Sequence, residues 1–361
     1  MGGLAVALPG GPVMRMLGSF VALALALFLG VPVQAQEKGR DIAPPDPARG
    51  DGGAEARERA EALLSAVVRV RMKALPDART SRTLGDEREG SGVVIDEEGH
   101  VLTIGYLVLE PDAIEVTGAG NKTVPARLVG YDHATGFGLI KLQGPLDAKP
   151  VALGDSGRLA PREPVMVLPW GGAQAASVAY VVSRREFTGA WEYLLDSAIF
   201  VSPPTMTWAG AALVNRDYQL VGIGSLLVRD AAPGIREIPG NMFVPINLLK
   251  PVLADLKSRG RTAQVPRPWL GLRTEAAHGR LFVTGVSEDG PADLAGVERG
   301  DIVLAVGPDA VATQAELYRK MWALGPAGTE VPLKILRNGD THEIRIKSID
   351  RSAFFRSKPA Y

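Results

Sequence analysis

The amino-acid sequence predicts a mainly β protein of two domains, preceded by a non-globular segment. Its 361 residues exceed what one small hydrophobic core requires. Between residues 67 and 228, short β-branched and apolar runs recur with turn residues between them, which is typical of β-barrels and β-sandwiches. An apolar helical stripe and a Pro-containing linker then separate this region from a second module, residues 268–350.

The N-terminal segment has the features of a secretory signal. Arg15 precedes an apolar stretch from Leu17 to Val33, and Ala35 ends a small-residue pattern that favours cleavage before Gln36. Residues 1–35 are therefore predicted to be a signal peptide. An uncleaved membrane anchor is the alternative, because the stretch is close to spanning length. Residues 36–53, rich in Pro, Gly and charge, predict a flexible tether.

The composition excludes several classes of function. Lys plus Arg equals Asp plus Glu, at 40 each, so no net charge would collect nucleic acid, and we expect no nucleic-acid partner. The chain has no cysteine, which excludes disulfides, thiolate chemistry and cysteine zinc sites. No other metal-ligand spacing appears, so we expect no metal and no other cofactor.

Apolar spacing and turn residues predict the individual elements of the first domain, residues 54–260. A helix is expected from Ala54 to about Leu64, then a strand in "SAVVRVRM" and a hairpin across residues 91–104. A leucine and valine stripe at 248, 249, 252, 253 and 256 predicts a closing helix that ends at Gly260. Residues 261–267 form the linker. Further strands are expected at residues 113–118, 123–130, 137–142, 163–168, 176–184, 191–200 and 218–228.

Four motifs resemble the trypsin-like protease domain of the HtrA family. They are "GSGVVIDEEGHVLTIGYLV" (90–108), "DHATGFGLIK" (132–141), "TWAGAALVN" (207–215) and "NMFVP" (241–245). Two further segments, "WLGL" (269–272) and "GPADLAGVERGDIVLAV" (290–306), resemble the PDZ domain of that family. The resemblance covers residues 60 to 350. It implies a chymotrypsin-like double β-barrel followed by a C-terminal PDZ domain of the α+β type.

Laid over these motifs, the catalytic histidine of the family falls on Tyr106, its aspartate on Gly136 and its serine on Ala209. A serine triad needs a hydroxyl nucleophile, an imidazole base and a carboxylate, and none of the three is present. The oxyanion turn is equally altered, with Thr207 and Trp208 in place of glycine and asparagine, and a β-branched residue resists a positive φ. We therefore expect a degenerate site in which Tyr106 fills the space of the imidazole.

The four histidines offer no evident replacement base. His100, His278 and His342 are expected in turns, with solvated rings. His133 follows Asp132, and neighbours along a chain rarely face each other.

The second module keeps the pattern of a peptide-binding domain. In PDZ domains the loop that corresponds to "WLGL" presents consecutive amides to the terminal carboxylate of a peptide, and a helix, here with its N-cap at Thr313 and its end at Gly325, walls the groove. Packing of that helix in the core alone is the alternative. Occupation of the groove by the C-terminal tail, residues 351–361, is also possible. The expected peptide contacts are Trp269, Leu270, Gly271, Leu272, Leu317 and Met321.

Together these features predict a secreted, periplasmic and catalytically inactive HtrA-like protein that binds unfolded segments, C-termini or exposed strands of polypeptides. One alternative is an active HtrA-type endopeptidase in envelope protein quality control whose site residues lie elsewhere. Another is a structural subunit that assembles as a homotrimer or with an active HtrA relative.

Overall fold

The computed structural model describes residues 51–232, 234 and 237–357, so the predicted signal peptide and most of the predicted tether lie outside the described residues. The chain divides after Glu58 into two compact units, and both barrels and the C-terminal sheet belong to the unit of residues 59–361. Within the described part of the chain, no helix has the length and apolar character needed to span a membrane.

The first β-barrel closes by antiparallel pairing in the strand order β1-β2-β3-β6-β5-β4. The strands supply apolar side chains to the interior, among them Val68, Leu102 and Phe137, which are fully buried. Helix α1 (Asp51–Ala66) precedes the barrel and the short helix α2 (Ser81–Leu84) lies between its first two strands. The strands are β1 (Val67–Ala74), β2 (Glu87–Val94), β3 (His100–Ile104), β4 (Pro111–Thr117), β5 (Thr123–Tyr131) and β6 (Phe137–Leu142).

The second barrel has the same construction, with the strand order β10-β11-β12-β9-β8-β7 and closure between β10 and β7. The two closed barrels confirm the predicted chymotrypsin-like architecture. The strands are β7 (Pro164–Leu168), β8 (Ser177–Gly189), β9 (Tyr193–Ser202), β10 (Ala212–Val214), β11 (Leu220–Val228) and β12 (Gly240–Pro245).

Several predicted boundaries are wrong for identifiable reasons. Helix α1 begins at Asp51, so residues 51–53 of the predicted tether are helical, extended from the Ala- and Glu-rich segment that follows them. The closing helix is not continuous. Pro251 cannot donate a backbone hydrogen bond, and the chain forms a 3₁₀ turn (Ile246–Leu248) before α3 (Leu253–Arg259). Gly260 ends α3 as predicted, with a left-handed φ of 72°.

The β8–β9 hairpin is longer than predicted, because β8 continues five residues past Arg184 to Gly189. The Arg185 guanidinium lies over the ring of Phe200 at 4.1 Å, and this contact keeps the stretch that follows Arg184 in the sheet. The hairpin therefore extends beyond the barrel, toward the second domain.

The second domain is a six-stranded sheet in the order β13-β14-β15-β17-β18, with β16 paired to β15, and it carries two helices. The predicted N-cap of the longer helix is confirmed: Thr313 and Glu316 form a reciprocal capping box. This confirms the α+β character of the predicted PDZ domain. The elements are β13 (Leu272–Ala277), β14 (Arg280–Val286), α4 (Pro291–Leu294), β15 (Ile302–Val306), β16 (Asp309–Ala310), α5 (Gln314–Ala323), β17 (Glu330–Arg337) and β18 (Asp340–Lys347).

One glycine in the second barrel lies against the backbone of a neighbouring turn. A Cβ placed on Gly224 of β11 would come within 2.1 Å of the carbonyl oxygen of Trp208. A backbone atom cannot rotate away as a flexible side chain can, so the strand and the turn would have to separate.

We therefore expect Gly224→Ala to lower the free energy of unfolding by roughly 1–3 kcal/mol, the ordinary cost of overpacking. Gly144→Ala is the matched control, because its Cβ would meet Val124 at an ordinary 3.5 Å. Urea unfolding of both variants provides the measurement. Equal stability of the two variants would contradict the close approach at Gly224.

Candidate functional site

The turn that leads into β10 is held by backbone contacts on both sides. The amide of Ala211 donates to the carbonyl of Trp208, and the amide of Gly210 donates to the carbonyl of Gly224. Gly210 has a φ of 73°, and a Cβ there would lie 1.9 Å from the carbonyl oxygen of Ser91. Position 210 therefore requires glycine on both counts.

Ala209 sits at the apex of this turn, with its carbonyl turned toward the first barrel. That carbonyl accepts a hydrogen bond from the amide of Ser91 at 2.8 Å. Ala209 offers no polar side-chain atom, so the turn displays a methyl group where a nucleophile would stand.

The amide of Thr207, in the predicted degenerate oxyanion turn, is used within the turn. It donates to the hydroxyl of Thr205 at 3.3 Å, and the two threonine hydroxyls lie 3.1 Å apart. Asn241, fully buried on β12, clamps the entry to the turn, since its side chain accepts from the Thr205 amide and donates to the Thr205 carbonyl. Sequence reasoning missed Asn241, although it opens the "NMFVP" motif.

Tyr106 lies on the 3₁₀ turn (Gly105–Leu107) that follows β3. Its hydroxyl donates to the carbonyl oxygen of Ser225 at 2.8 Å. Burial raises the pKa of the Tyr106 phenol well above its ordinary value. At neutral pH the side chain is therefore a neutral donor and has no proton-accepting role.

Gly136 lies beside the Tyr106 turn, because its carbonyl accepts from the amide of Gly105 at 2.7 Å. Its φ is 82°, and a Cβ there would be 3.2 Å from the hydroxyl of Tyr193. That hydroxyl in turn donates to the carbonyl of Thr135. The space next to position 136 is therefore filled by a phenol from the second barrel.

The three positions predicted for the triad are thus brought together. Gly136 contacts the residue before Tyr106. Tyr106 and Gly210 bond to the adjacent residues Ser225 and Gly224 of β11. Sequence comparison alone had placed them by motif, and the structure places them at one junction between the barrels.

Beside this junction lies a cavity of 960 Å³ that extends to the second domain. We call it the aromatic cavity, because eight aromatic residues are among those that line it. No histidine is among the described residues that line it. The aromatic lining residues are Tyr106, Tyr131, Trp191, Tyr193, Trp208, Trp269, Phe354 and Phe355.

The histidines lie elsewhere, and two predicted placements are wrong. His100 is buried, not solvated, because its Nδ1 lies 2.9 Å from the carboxylate of Asp96, which also binds Lys257 at 2.6 Å. His342 lies within β18, not in a turn. Burial lowers the pKa of His133 to about 3, and its ring stacks on Phe355.

The predicted carboxylate-binding loop already holds a carboxylate from the same chain. The side chain of Glu192, at the tip of the β8–β9 hairpin, accepts hydrogen bonds from the amide of Leu270 at 3.0 Å and from the amide of Leu272 at 2.8 Å. Gly271, between them, has the left-handed φ of 83° that lets both amides point to one side. The prediction that these amides converge on a carboxylate fits this geometry.

The other predicted peptide contacts are buried by the same hairpin and by the domain core. Leu194 of β9 belongs to the apolar cluster of the second domain, together with Leu270, Leu317 and Met321. Leu317 and Met321 are each 1% exposed, so the alternative of core packing describes both in this structure. The expectation that they face an external peptide does not hold here.

The C-terminal tail lies beside the aromatic cavity and not in the carboxylate loop. Phe354 packs on Trp269 with ring centres 4.7 Å apart, and the amide of Arg356 donates to the carboxylate of Glu110. Burial alone would raise the pKa of Glu110, but hydrogen bonds from Thr80 and from the Arg356 amide hold it below the usual value. Self-occupation of the loop thus comes from Glu192, which no sequence motif had singled out.

Comparison with known proteins supplies the context of this site. Residues 90–223 match the trypsin-like peptidase domain family, and residues 268–348 match the PDZ domain family. The chain is 26% identical over 288 residues to the serine protease Do-like HtrA of Lactobacillus helveticus, covering 72% of this chain and 68% of that protein. It is 27% identical over 282 residues to a DegP-like periplasmic serine endoprotease of Pseudomonas fulva, covering 73% of this chain and 57% of that protein.

A solved structure, the HtrA-type protease AlgW with a decapeptide, shares the fold. Its TM-score is 0.50 at 20% sequence identity, and the match covers 84% of this chain and 99% of that one. At this identity the likeness bears on the fold alone.

The hydrogen bond from Tyr106 to Ser225 gives a test of how the site is held. Tyr106→Phe leaves a carbonyl without its donor in the interior, so we expect a loss of about 1–3 kcal/mol in the free energy of unfolding. Tyr180→Phe, whose side chain is 49% exposed, should change stability by less than about 0.5 kcal/mol. Urea unfolding compares the two, and equal losses would argue against a stabilising role for the Tyr106 hydroxyl.

Proposed function

Because the chain combines a trypsin-like peptidase domain with a PDZ domain and has HtrA and DegP homologues, we propose that it is a catalytically inactive relative of these proteases. In this proposal it binds polypeptides through the PDZ domain. The observation that carries the proposal is the junction of Tyr106, Gly136 and Ala209. Their convergence supports the assignment of these positions to a former triad, and their chemistry cannot perform acyl transfer.

Each step of serine-protease catalysis lacks the side chain that would perform it. Ala209 has no hydroxyl, the Tyr106 phenol stays protonated, and Gly136 has no carboxylate to orient a base. The Thr207 amide is engaged within its own turn, so it is not directed at a developing oxyanion. Loss of a single triad member lowers the rate by about 10⁴-fold or more, and here all three are missing.

Polypeptide binding rests on a different set of groups. The amides of Leu270 and Leu272 converge on one carboxylate, which supports recognition of a carboxylate-bearing segment. The predicted signal peptide and the periplasmic naming of DegP-like homologues support a periplasmic location. An unfolded envelope protein is the corresponding partner.

The purified chain is expected to bind an unfolded polypeptide without cleaving it. Labelled casein serves as the substrate, with fluorescence anisotropy to report binding and gel analysis to report cleavage, beside labelling with a fluorophosphonate. Stoichiometric labelling of a serine, together with cleavage that persists after repurification, would refute the proposal.

Restoring the nucleophile alone should not restore hydrolysis. Ala209→Ser supplies a hydroxyl without a base, so we expect no detectable casein cleavage. The triple variant Tyr106→His, Gly136→Asp and Ala209→Ser should also be impaired, because an aspartate at φ 82° would meet the Tyr193 hydroxyl.

Adding Tyr193→Phe to the triple variant removes that obstacle, so the quadruple variant should be the more active of the two. Initial rates of casein hydrolysis compare them, with urea unfolding to verify that both are folded. Strong activity of Ala209→Ser alone would mean that another base is already in place.

A further inference from the structure

Glu192 is a buried carboxylate that makes no salt bridge within the described part of the chain. Its residue is 7% exposed, and its acceptors are satisfied by main-chain amides of the PDZ loop. Removing a carboxylate from water is costly unless its surroundings compensate. A surface hairpin has no structural need for a buried acid, so its position calls for a functional reason.

The backbone conformation of Glu192 also indicates a functional role. Glu192 has a φ of 60°, a left-handed conformation that is strained for an ordinary L-residue and that glycine would adopt without strain. From this conformation the glutamate side chain reaches the amides of the loop. Both burial and backbone strain are offset only while the carboxylate is bound.

The hairpin meets the PDZ domain as a ligand would. Its carboxylate takes the loop amides, and two residues further on Leu194 enters the apolar cluster of the domain. The hydroxyl of Tyr318, on α5, donates to the carbonyl of Gly189 and accepts from the amide of Glu192. The side chain of Thr188 donates to Gln314 at the start of the same helix.

We propose that Glu192 is an internal ligand of the carboxylate loop, so that an external segment with a carboxylate and a leucine-sized side chain binds only by displacing the β8–β9 hairpin. This inference rests on the proposed polypeptide binding and specifies how that site is regulated and what it selects. The shared chemistry could come from a free C-terminus or from an internal glutamate two residues before a leucine.

The charges around Glu192 determine how this competition depends on pH. Burial raises the pKa of the Glu192 carboxyl to about 7, against hydrogen bonds from the Leu270 and Leu272 amides and the positive charge of Arg351 in the tail. The neighbouring titratable groups are Tyr318 on α5, Tyr193 on the hairpin, Asp132 and His133 after β5, and Arg267 in the linker.

The direction of this pH dependence follows from the linkage between proton binding and closure of the loop by Glu192. A carboxyl whose pKa is higher in the closed state than in the open state binds more protons when closed. Closure is therefore most favourable below the ordinary carboxyl pKa of 4.5 and weakens as the pH rises to about 7. The affinity for an external ligand should accordingly rise over that window and stay constant above it.

The experiment compares the wild-type chain with Glu192→Ala, using anisotropy of a labelled unstructured peptide that ends in leucine. Alanine removes both oxygens that accept from the loop amides, so the affinity should rise at least tenfold and lose its pH dependence between 4.5 and 7. Glu186→Ala is the matched control, because Glu186 lies on the same hairpin and binds Arg319 of α5 without contacting the loop. It should change the affinity less than threefold.

A cross-link tests displacement directly, since the chain has no native cysteine. Thr188→Cys and Gln314→Cys, joined by a bismaleimide with an internal disulfide, tie the hairpin to α5. The joined protein should lose peptide binding, and reductive cleavage of the linker should restore it. Undiminished binding by the joined protein would overturn the proposal.

Further measurements distinguish the two possible sources of the carboxylate. They also distinguish failure of the internal-ligand proposal from failure of the proposed polypeptide binding. An amidated peptide and a capped hairpin peptide containing Glu-Tyr-Leu distinguish a C-terminal from a side-chain carboxylate. Hydrogen exchange at residues 270–272 reports closure without any peptide, and it should accelerate in Glu192→Ala. Accelerated exchange without peptide binding would leave the internal ligand in place and refute the binding function. Unchanged exchange with equal affinities in both proteins would refute the internal ligand and retain the function.

Discussion

The carboxylate of Glu192 and the amides of the PDZ loop form the contact on which the arrangement of residues 59–361 depends. The amides of residues 270 and 272 are brought to one side by Gly271, and they would be buried without partners if the hairpin left and nothing replaced it. The Glu192 carboxylate, in turn, would lose its hydrogen-bond donors if the loop moved away. Each side therefore stabilises the other, and the loss of one exposes an unsatisfied group on the opposite domain.

Two further groups of contacts, from the first barrel and from the C-terminal tail, also hold the PDZ domain. Arg79 and Arg82 of the first barrel reach Glu288 and Asp289 after β14, in pairs that are exposed and individually weak. The tail adds Phe354 against Trp269, with the Arg79 guanidinium 4.3 Å from the Phe354 ring centre. These contacts orient the PDZ domain, whereas the buried carboxylate determines whether its loop is available.

The path of the turn at residues 207–211 does not depend on the chemistry of its side chains. Its path is determined by steric contacts, the approach of Gly210 to Ser91 and of Gly224 to Trp208, and none of these involves a reactive side chain. The approach of Gly210 to Ser91 also joins the two barrels. A protein that relinquished the turn would lose packing at the barrel junction, whatever stood at position 209.

The architecture could be predicted from the sequence, because apolar and polar residues alternate along barrel strands and turn residues interrupt the strands at regular distances. It was insufficient where one residue overrides a pattern, as Pro251 does in the closing segment, or where a charged group packs on an aromatic ring, as the Arg185 guanidinium does on Phe200. The positions of Tyr106, Gly136 and Ala209 followed from motifs. Glu192 did not, since a glutamate in a hairpin turn reads as solvated until the second domain is placed against it.

Tyr193 couples the candidate site to the second domain. Its hydroxyl fills the room beside Gly136 that an acid would require, and the residue stands between Glu192 and Leu194, which reach the PDZ domain. A substitution at 193 that made room for an acid would also alter the hairpin tip between two residues that dock there. A change that placed an acid at position 136 would therefore also disturb the docking of the second domain, so the effects of substitutions at 136 and 193 are epistatic.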